Sequence, residues 1–271
     1  MKTADALVET GVISSEAVCR VINAIEVAQN TIGFDDEKIV AVTTEAVRQA
    51  SNQKEVLEEI EDVTGVVFTV IDGDEEARLT LLAVKERLKT LPHAMDNFVL
   101  VDIGGASIEV VFNYGKKRVS KSFPIGIVTL AQSYEGLDAM EEALPLKMLE
   151  IEKFVKQMYA TRGVSQSFVA TAGTPTTVAS MKLGLTYETY DAKRINGITL
   201  EKEELRFYLD KLLTMPFEER EMTVGTGRSD LIACGILIYQ ELYSILNFQS
   251  CIVVDDGLRE GVALDYCNSM H

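Results

Sequence analysis

Histidine is almost absent from this chain of 271 residues, with His93 in a loop between elements and His271 at the last position. A histidine-based catalytic triad therefore has no candidate. The four cysteines (Cys19, Cys234, Cys251 and Cys267) lie far apart with no CxxC pair. That removes zinc and disulfide readings and leaves reduced, mostly buried thiols in a cytoplasmic protein as the expectation. No apolar run approaches the roughly 20 residues of a membrane span. The opening MKTADALVETG reads as a polar helical lead, unlike a signal peptide. Positive charge is the other shortage: 26 Lys and Arg against 42 Asp and Glu leave a net charge of −16. This argues against non-specific nucleic-acid binding and against anionic membranes. It also repels a polyanionic substrate, unless metal ions and a local cluster of Arg and Lys reverse the field at one site.

What is present is a folded α/β chain. A hydrophobic content of 47% and this length suffice for one large domain or two medium ones. Residues 98–112, FVLVDIGGASIEVVF, combine a buried strand ending in Asp102, a turn of small residues (Gly104, Gly105, Ala106, Ser107), and a second strand that carries Glu109. Glycine lets backbone N–H groups turn towards a ligand, which suits phosphate oxygens. Asp102 and Glu109 can hold a divalent cation or a water. An ordinary tight hairpin is the plain alternative. Two acids at strand ends beside a glycine turn nevertheless carry a desolvation cost that some partner must relieve.

Two α/β blocks are legible. In the first, Ser14 or Ser15 caps a helix running towards Gln29 with Gly33 past its end, followed by a strand at 38–43. A helix over 44–63 closed by Gly65, a strand at 66–71, an Asp72-Gly73-Asp74 turn and a helix over 75–91 complete the block. The alternation implies parallel strands with crossover helices. LPHAMDN (91–97) is the expected boundary. The second block begins with three antiparallel strands (98–101, 108–112, 117–123) and helices over 140–159. A strand at 167–171 leads through Ala172-Gly173-Thr174-Pro175 into a helix, and Thr199 heads another helix. An apolar helix over 230–246, a strand at 251–254 and a terminal helix close the chain. Three antiparallel strands followed by helix–strand alternation is the order of the actin-like ATPase fold.

Several motifs follow that order: AVTTEAVRQASN (41–52), IDGDEEARL (71–79), VDIGGASIE (101–109), FPIGIVTLAQ (123–132), ATAGTPTTVAS (170–180), GRSDLIACG (227–235) and DDGLREGV (255–262). Together they resemble the exopolyphosphatase / guanosine pentaphosphate phosphatase family of the actin–hexokinase–Hsp70 superfamily. The resemblance implies a two-domain actin-like ATPase (ribonuclease H-like) α/β fold. It places a first domain at 1–95, a second at 96–256 and a helix at 257–271 returning to the first. It implies Mg²⁺-assisted hydrolysis of a terminal phosphoanhydride in inorganic polyphosphate, with guanosine pentaphosphate (yielding the tetraphosphate) as a second substrate, and a homodimer. Glu76 corresponds to the general base, and Asp102 and Glu109 to the cation-orienting acids. Gly104, Gly105, Ala106 and Ser107 form a phosphate loop, Arg48 a phosphate clamp, and Gly173 and Thr174 the loop that lies near adenosine in nucleotide-binding relatives. Arg228 and Arg259 add positive charge.

Each of these residues also has a plain structural use. Glu75 and Glu76 suit a helix start, Arg78 a helical ion pair, Arg48 a solvated helix face, and Arg259 with Glu260 the flanks of a packing Gly261. Two departures from the family pattern stand out. Ala106 replaces a third glycine, harmless if its φ stays negative. The first phosphate loop and its strands have no counterpart, so the first domain reads as N-terminally truncated, with a segment missing upstream. Rival readings are a non-catalytic alarmone- or nucleotide-binding module and, less well matched, a sugar- or acid-kinase relative.

Overall fold

The computed structural model describes residues 4, 7–34, 38–92 and 95–270, so His93 and His271 lie outside the described residues. The chain enters through a single turn, α1 (Leu7–Thr10), and a long helix, α2 (Ser15–Ile32). Ser14 caps α2 by accepting from the Ala17 N–H, and Gly33 ends it at φ 68°. A short strand β1 (Ala41–Thr43) follows, then α3 (Glu45–Gln49), α4 (Gln53–Thr64) and β2 (Phe68–Val70), which pairs with β1 in parallel. The single helix expected over 44–63 is broken. Ala50 is extended, and the Ser51 N–H donates to the Gly11 carbonyl. The Asn52 amide both accepts from Ile13 N–H and donates to Ile13 O, each at 2.9 Å. The break is a tertiary tether to the start of α2.

Asp72 then caps α5 (Gly73–Thr90). The large sheet begins with β3 (Asn97–Ile103), β4 (Ile108–Tyr114) and β5 (Lys117–Phe123), an antiparallel meander. Helices α6 (Ile127–Ser133), α7 (Leu137–Lys147) and α8 (Leu149–Arg162) lead to β6 (Ser167–Thr171), parallel to β3. Next come α9 (Gly173–Lys182), α10 (Ala192–Ile195) and a short strand β7 (Thr199–Glu201). Thr199 therefore does not head a helix: it pairs with Ile252, and the helix waits until a Glu201–Glu204 capping box. The chain closes with α11 (Lys202–Thr214), α12 (Phe217–Val224), α13 (Ser229–Leu246), β8 (Ser250–Val253) and α14 (Leu258–Ser269).

The large sheet runs β5-β4-β3-β6-β8-β7. Its two faces are covered by different helices. Val99, Val101, Val110 and Phe112 pack with helices α7, α8, α9, α11 and α13 in one large core. Phe98, Leu100, Val111 and Val169 pack against Ala77, Leu81, Val84 and Leu88 of α5. The α5 apolar stripe thus lies on the large sheet, although α5 precedes the boundary expected at 91–97. On its other side α14 crosses so closely that a Cβ on Gly261 would stand 2.0 Å from the Leu79 carbonyl oxygen, and only glycine fits there. Arg78–Asp265 and Arg87–Asp256 ion pairs flank that crossing. Among the described residues α13 alone has the length and mean hydropathy of a membrane span; 67% of it is buried, as a core helix. Two thiols, Cys234 and Cys251, are buried; Cys19 and Cys267 are exposed.

Candidate active site

The ladder between β3 and β4 sets Asp102 directly opposite Glu109. The connecting turn is closed by the Gly104 N–H donating to Ser107 O at 2.9 Å. The first turn of α6 holds that loop from behind: Ile127 N–H donates to Gly104 O at 3.0 Å and Val128 N–H to Gly105 O at 2.9 Å. Gly126, whose N–H is capped by Thr129 Oγ1, lies against the 105–106 peptide. Its φ of −140° suits any residue, but a Cβ there would stand 2.3 Å from the Gly105 carbonyl and the Ala106 nitrogen. Contact, not backbone freedom, requires glycine. Ala106 is absent from the positive-φ residues, so the methyl in place of a third glycine causes no backbone strain. It is buried with Val128 among the apolar residues of α1 to α4.

Helix α5 brings Glu76 to the same place. Glu76 and Glu109 are buried, and Glu76 Oε2 and Glu109 Oε2 have no hydrogen-bond partner. Burial, followed by the neighbouring Asp102 charge, pushes the Glu76 carboxyl up to about 7, partly opposed by Arg48 and a hydrogen bond from Thr44. Asp102 is pushed up to about 6 by burial, with Thr80 opposing. Glu109 rises to about 8, through burial and then the charges of Glu76 and Asp102; Ser122 and Ser107 hydroxyls oppose the shift. Three clustered carboxyls, two of them with an unfilled acceptor oxygen, suit a divalent cation. Among the described residues no three acidic, imidazole or thiol groups form a ready-made metal cage. Mg²⁺ does not need one, because it commonly keeps several waters and takes one or two carboxylates.

A cavity of about 590 Å³ opens beside the loop. Gly104 and Gly105 line one wall and Gly173 and Thr174 another, with the guanidinium-bearing Arg20 and Arg228 on its border. The two loops singled out in the sequence therefore face one space. Ala106 and Ser107 do not line it: Ser107 is 3% exposed, and its hydroxyl is directed to Glu109. Arg48 does not reach it either. It is held by Glu45 and the Ile71 carbonyl, close enough to Glu76 to favour that residue's charged form. Ala172 enters α9 at φ 74°, a costly conformation for alanine, which fixes the direction of the 173–174 turn. Arg259 is largely exposed and pairs with Glu260.

Three hydroxyl residues around the carboxyls were not singled out in the sequence. Thr80 Oγ1 stands 3.4 Å from Asp102, Ser122 donates to Glu109 at 2.7 Å, and Thr44 reaches Glu76. Thr80 lies one helical turn beyond Glu76, and Ser122 is the cross-strand partner of Glu109. Helical spacing and hairpin register would have found both.

The profile of the Ppx/GppA phosphatase family matches residues 1–270. Exopolyphosphatase 2 of Mycobacterium tuberculosis is 27% identical over 270 residues, covering 94% of this chain and 83% of its own. The guanosine-5'-triphosphate,3'-diphosphate pyrophosphatase of Photobacterium profundum is 27% identical over 272 residues, covering 95% of this chain and 51% of its own. Among solved structures, the Ppx/GppA family member of Aquifex aeolicus is 30% identical with a TM-score of 0.72, over 99% of this chain and 87% of that one.

Proposed function

The chain belongs to the Ppx/GppA phosphatase family, and from that premise we propose that it hydrolyses the terminal phosphoanhydride of inorganic polyphosphate, with guanosine pentaphosphate as a second substrate. The observation that carries this reading is the convergence of Glu76, Asp102 and Glu109 beside a glycine loop that opens on the 590 Å³ cavity. Glu76 is the general base. A carboxyl held near neutrality can accept a proton from water and still be mostly ionised at pH 8. The water oxygen bonds to the terminal phosphorus, the bridging P–O bond breaks, and the proton goes to Glu76. Gly104 and Gly105 let the phosphate approach their backbone closely, while Arg228 and Arg20 offset its charge in the cavity.

Asp102 and Glu109 are the residues that would hold Mg²⁺, which supplies charge neutralisation on the transferring phosphoryl group when bound. Thr80 and Ser122 orient those two carboxylates. Arg48 favours the charged form of Glu76. The test is phosphate release from long-chain polyphosphate in Mg²⁺, comparing wild type with Glu76→Gln. Release by the wild type alone, with substrate binding retained in the variant, supports the hydrolase. No release from wild type, together with tight guanosine tetraphosphate binding, would replace it with an alarmone-binding module.

A further inference from the structure

Two tyrosines of α13, Tyr239 and Tyr243, lie one helical turn apart and are each 1% exposed. Both rings pack on Phe168, with centroids 6.4 Å and 5.1 Å away. Each buries a hydroxyl that phenylalanine would not carry, so each needs an acceptor. Tyr243 donates to the Leu200 carbonyl at 2.8 Å, on β7 at the outer edge of the sheet. Tyr239 donates to the Thr171 carbonyl at 2.9 Å. The two bonds satisfy their hydroxyls equally, but only the second touches the candidate site.

Thr171 is the last residue of β6, level with Asp102 across the β3–β6 ladder. Its carbonyl belongs to the peptide that joins it to Ala172, and Ala172 stands at φ 74°, ψ −174°. That region is essentially reserved for glycine, so alanine stays there only where its surroundings over-determine it. Peptide units are planar, so holding the two that flank a Cα fixes its φ and ψ. Here both are held. The Tyr239 hydroxyl grips the unit before Ala172. The Thr176 hydroxyl grips the unit after it, donating to the Ala172 carbonyl at 2.9 Å. Thr176 belongs to α9 and moves with it, whereas Tyr239 comes from another element. Thr171 Oγ1 also donates to the Asp256 carbonyl at 2.9 Å, anchoring the start of the turn beyond β8. Past the turn, Gly173 and Thr174 form their wall of the 590 Å³ cavity.

We propose that Tyr239 is a positioning residue: its hydroxyl holds the 171–172 peptide, keeps Ala172 in its glycine-like conformation and so aims the 173–174 wall at the substrate. This rests on the hydrolase reading. Without the hydroxyl, Ala172 relaxes to negative φ and the wall turns away. The carboxyls and the Gly104–Gly105 loop keep their own supports. Binding is weakened and the chemical step is kept, which raises KM and spares kcat.

The experiment compares wild type with Tyr239→Phe, Tyr243→Phe, Ala172→Gly and Ala172→Gly/Tyr239→Phe. Steady-state phosphate release from long-chain polyphosphate in Mg²⁺ is measured beside hydrogen exchange of the segment 172–180. Tyr239→Phe is expected to raise KM about tenfold with kcat within about twofold of wild type. Exchange in the first turn of α9 speeds up by a similar factor. Tyr243→Phe loses an equivalent buried bond, so it shows what a purely structural loss does; its KM and its exchange at 172–180 stay as in wild type. Glycine takes up φ 74° without strain. In the Ala172→Gly background the KM effect of Tyr239→Phe therefore shrinks to about threefold or less, a coupling that independent sites do not show. Equal KM for Tyr239→Phe and wild type overturns the proposal, as does an equal rise in Tyr243→Phe or an undiminished effect in the glycine background. Unchanged exchange at 172–180 in Tyr239→Phe overturns it whether or not phosphate is released. Faster exchange there, with no phosphate release from any of the five proteins, retains the clamp on the turn and overturns the hydrolase reading instead.

Discussion

Replacing Glu76 by glutamine is expected to make the metal-free protein more stable while abolishing phosphate release. The carboxyl is 8% exposed, and its folded-state value rises from 4.5 to about 7. The folded chain therefore holds this proton more tightly than the unfolded chain. Stability falls as pH rises from about 4.5 through about 7 and is lowest, on this account, above that window. The difference amounts to about 3 kcal/mol against the ionised folded form at pH 8. Glutamine keeps the shape and carries no charge, so Glu76→Gln recovers up to that amount at pH 8 and almost none at pH 4. For a chain of this size, about 2 °C per kcal/mol puts the gain at roughly 4–6 °C in melting temperature. Urea unfolding in EDTA at pH 5 and pH 8, beside phosphate release in Mg²⁺, measures both effects. A variant no more stable than wild type at pH 8, or one whose gain is the same at both pH values, would refute the reasoning.

Metal binding should act on the same repulsion: Mg²⁺ raises the wild-type melting temperature more at pH 8, where Asp102 and Glu109 are more fully ionised, than at pH 5.5. An equal rise at both pH values counts against these carboxyls as the ligands. Gly126→Ala puts a methyl 2.3 Å from the Gly105 carbonyl and displaces the loop; kcat/KM for polyphosphate should fall at least about tenfold, near 1.4 kcal/mol. Steady-state kinetics unchanged from wild type would show that the loop position is immaterial. Gly261→Ala forces α14 away from the Leu79 carbonyl and should cost about 1–3 kcal/mol in urea unfolding. A midpoint equal to wild type would mean that the helix pair yields freely.

All strands of the large sheet but β7 were legible, because each is a buried or alternating run ended by glycine or a polar turn; 117–123 and 167–171 coincide with β5 and β6. The errors have tertiary causes. Nothing between Thr44 and Val63 signals that Asn52 will grip Ile13 and split the helix. Nothing local reveals that Thr199 will lie against β8. Asp102 and Glu109 were readable as a pair because a short hairpin fixes which residues face each other. Ser107 was not readable as buried, since its direction depends on a hydrogen bond to Glu109 two residues on. The shared cavity was also hidden, because Gly104 and Gly173 are brought together by β3–β6 pairing across about seventy intervening positions.

The packing of α14 on α5 also bears on biosynthesis. Glu76 belongs to a helix made early, yet that helix gains its Gly261 contact and its Asp265 partner only when α14 has been translated. A nascent chain on the ribosome can complete most of the large sheet while the helix bearing Glu76 is still unsecured on one side. Removing residues 258–269 would therefore leave the strands of the large sheet in place and take away the buttress behind α5.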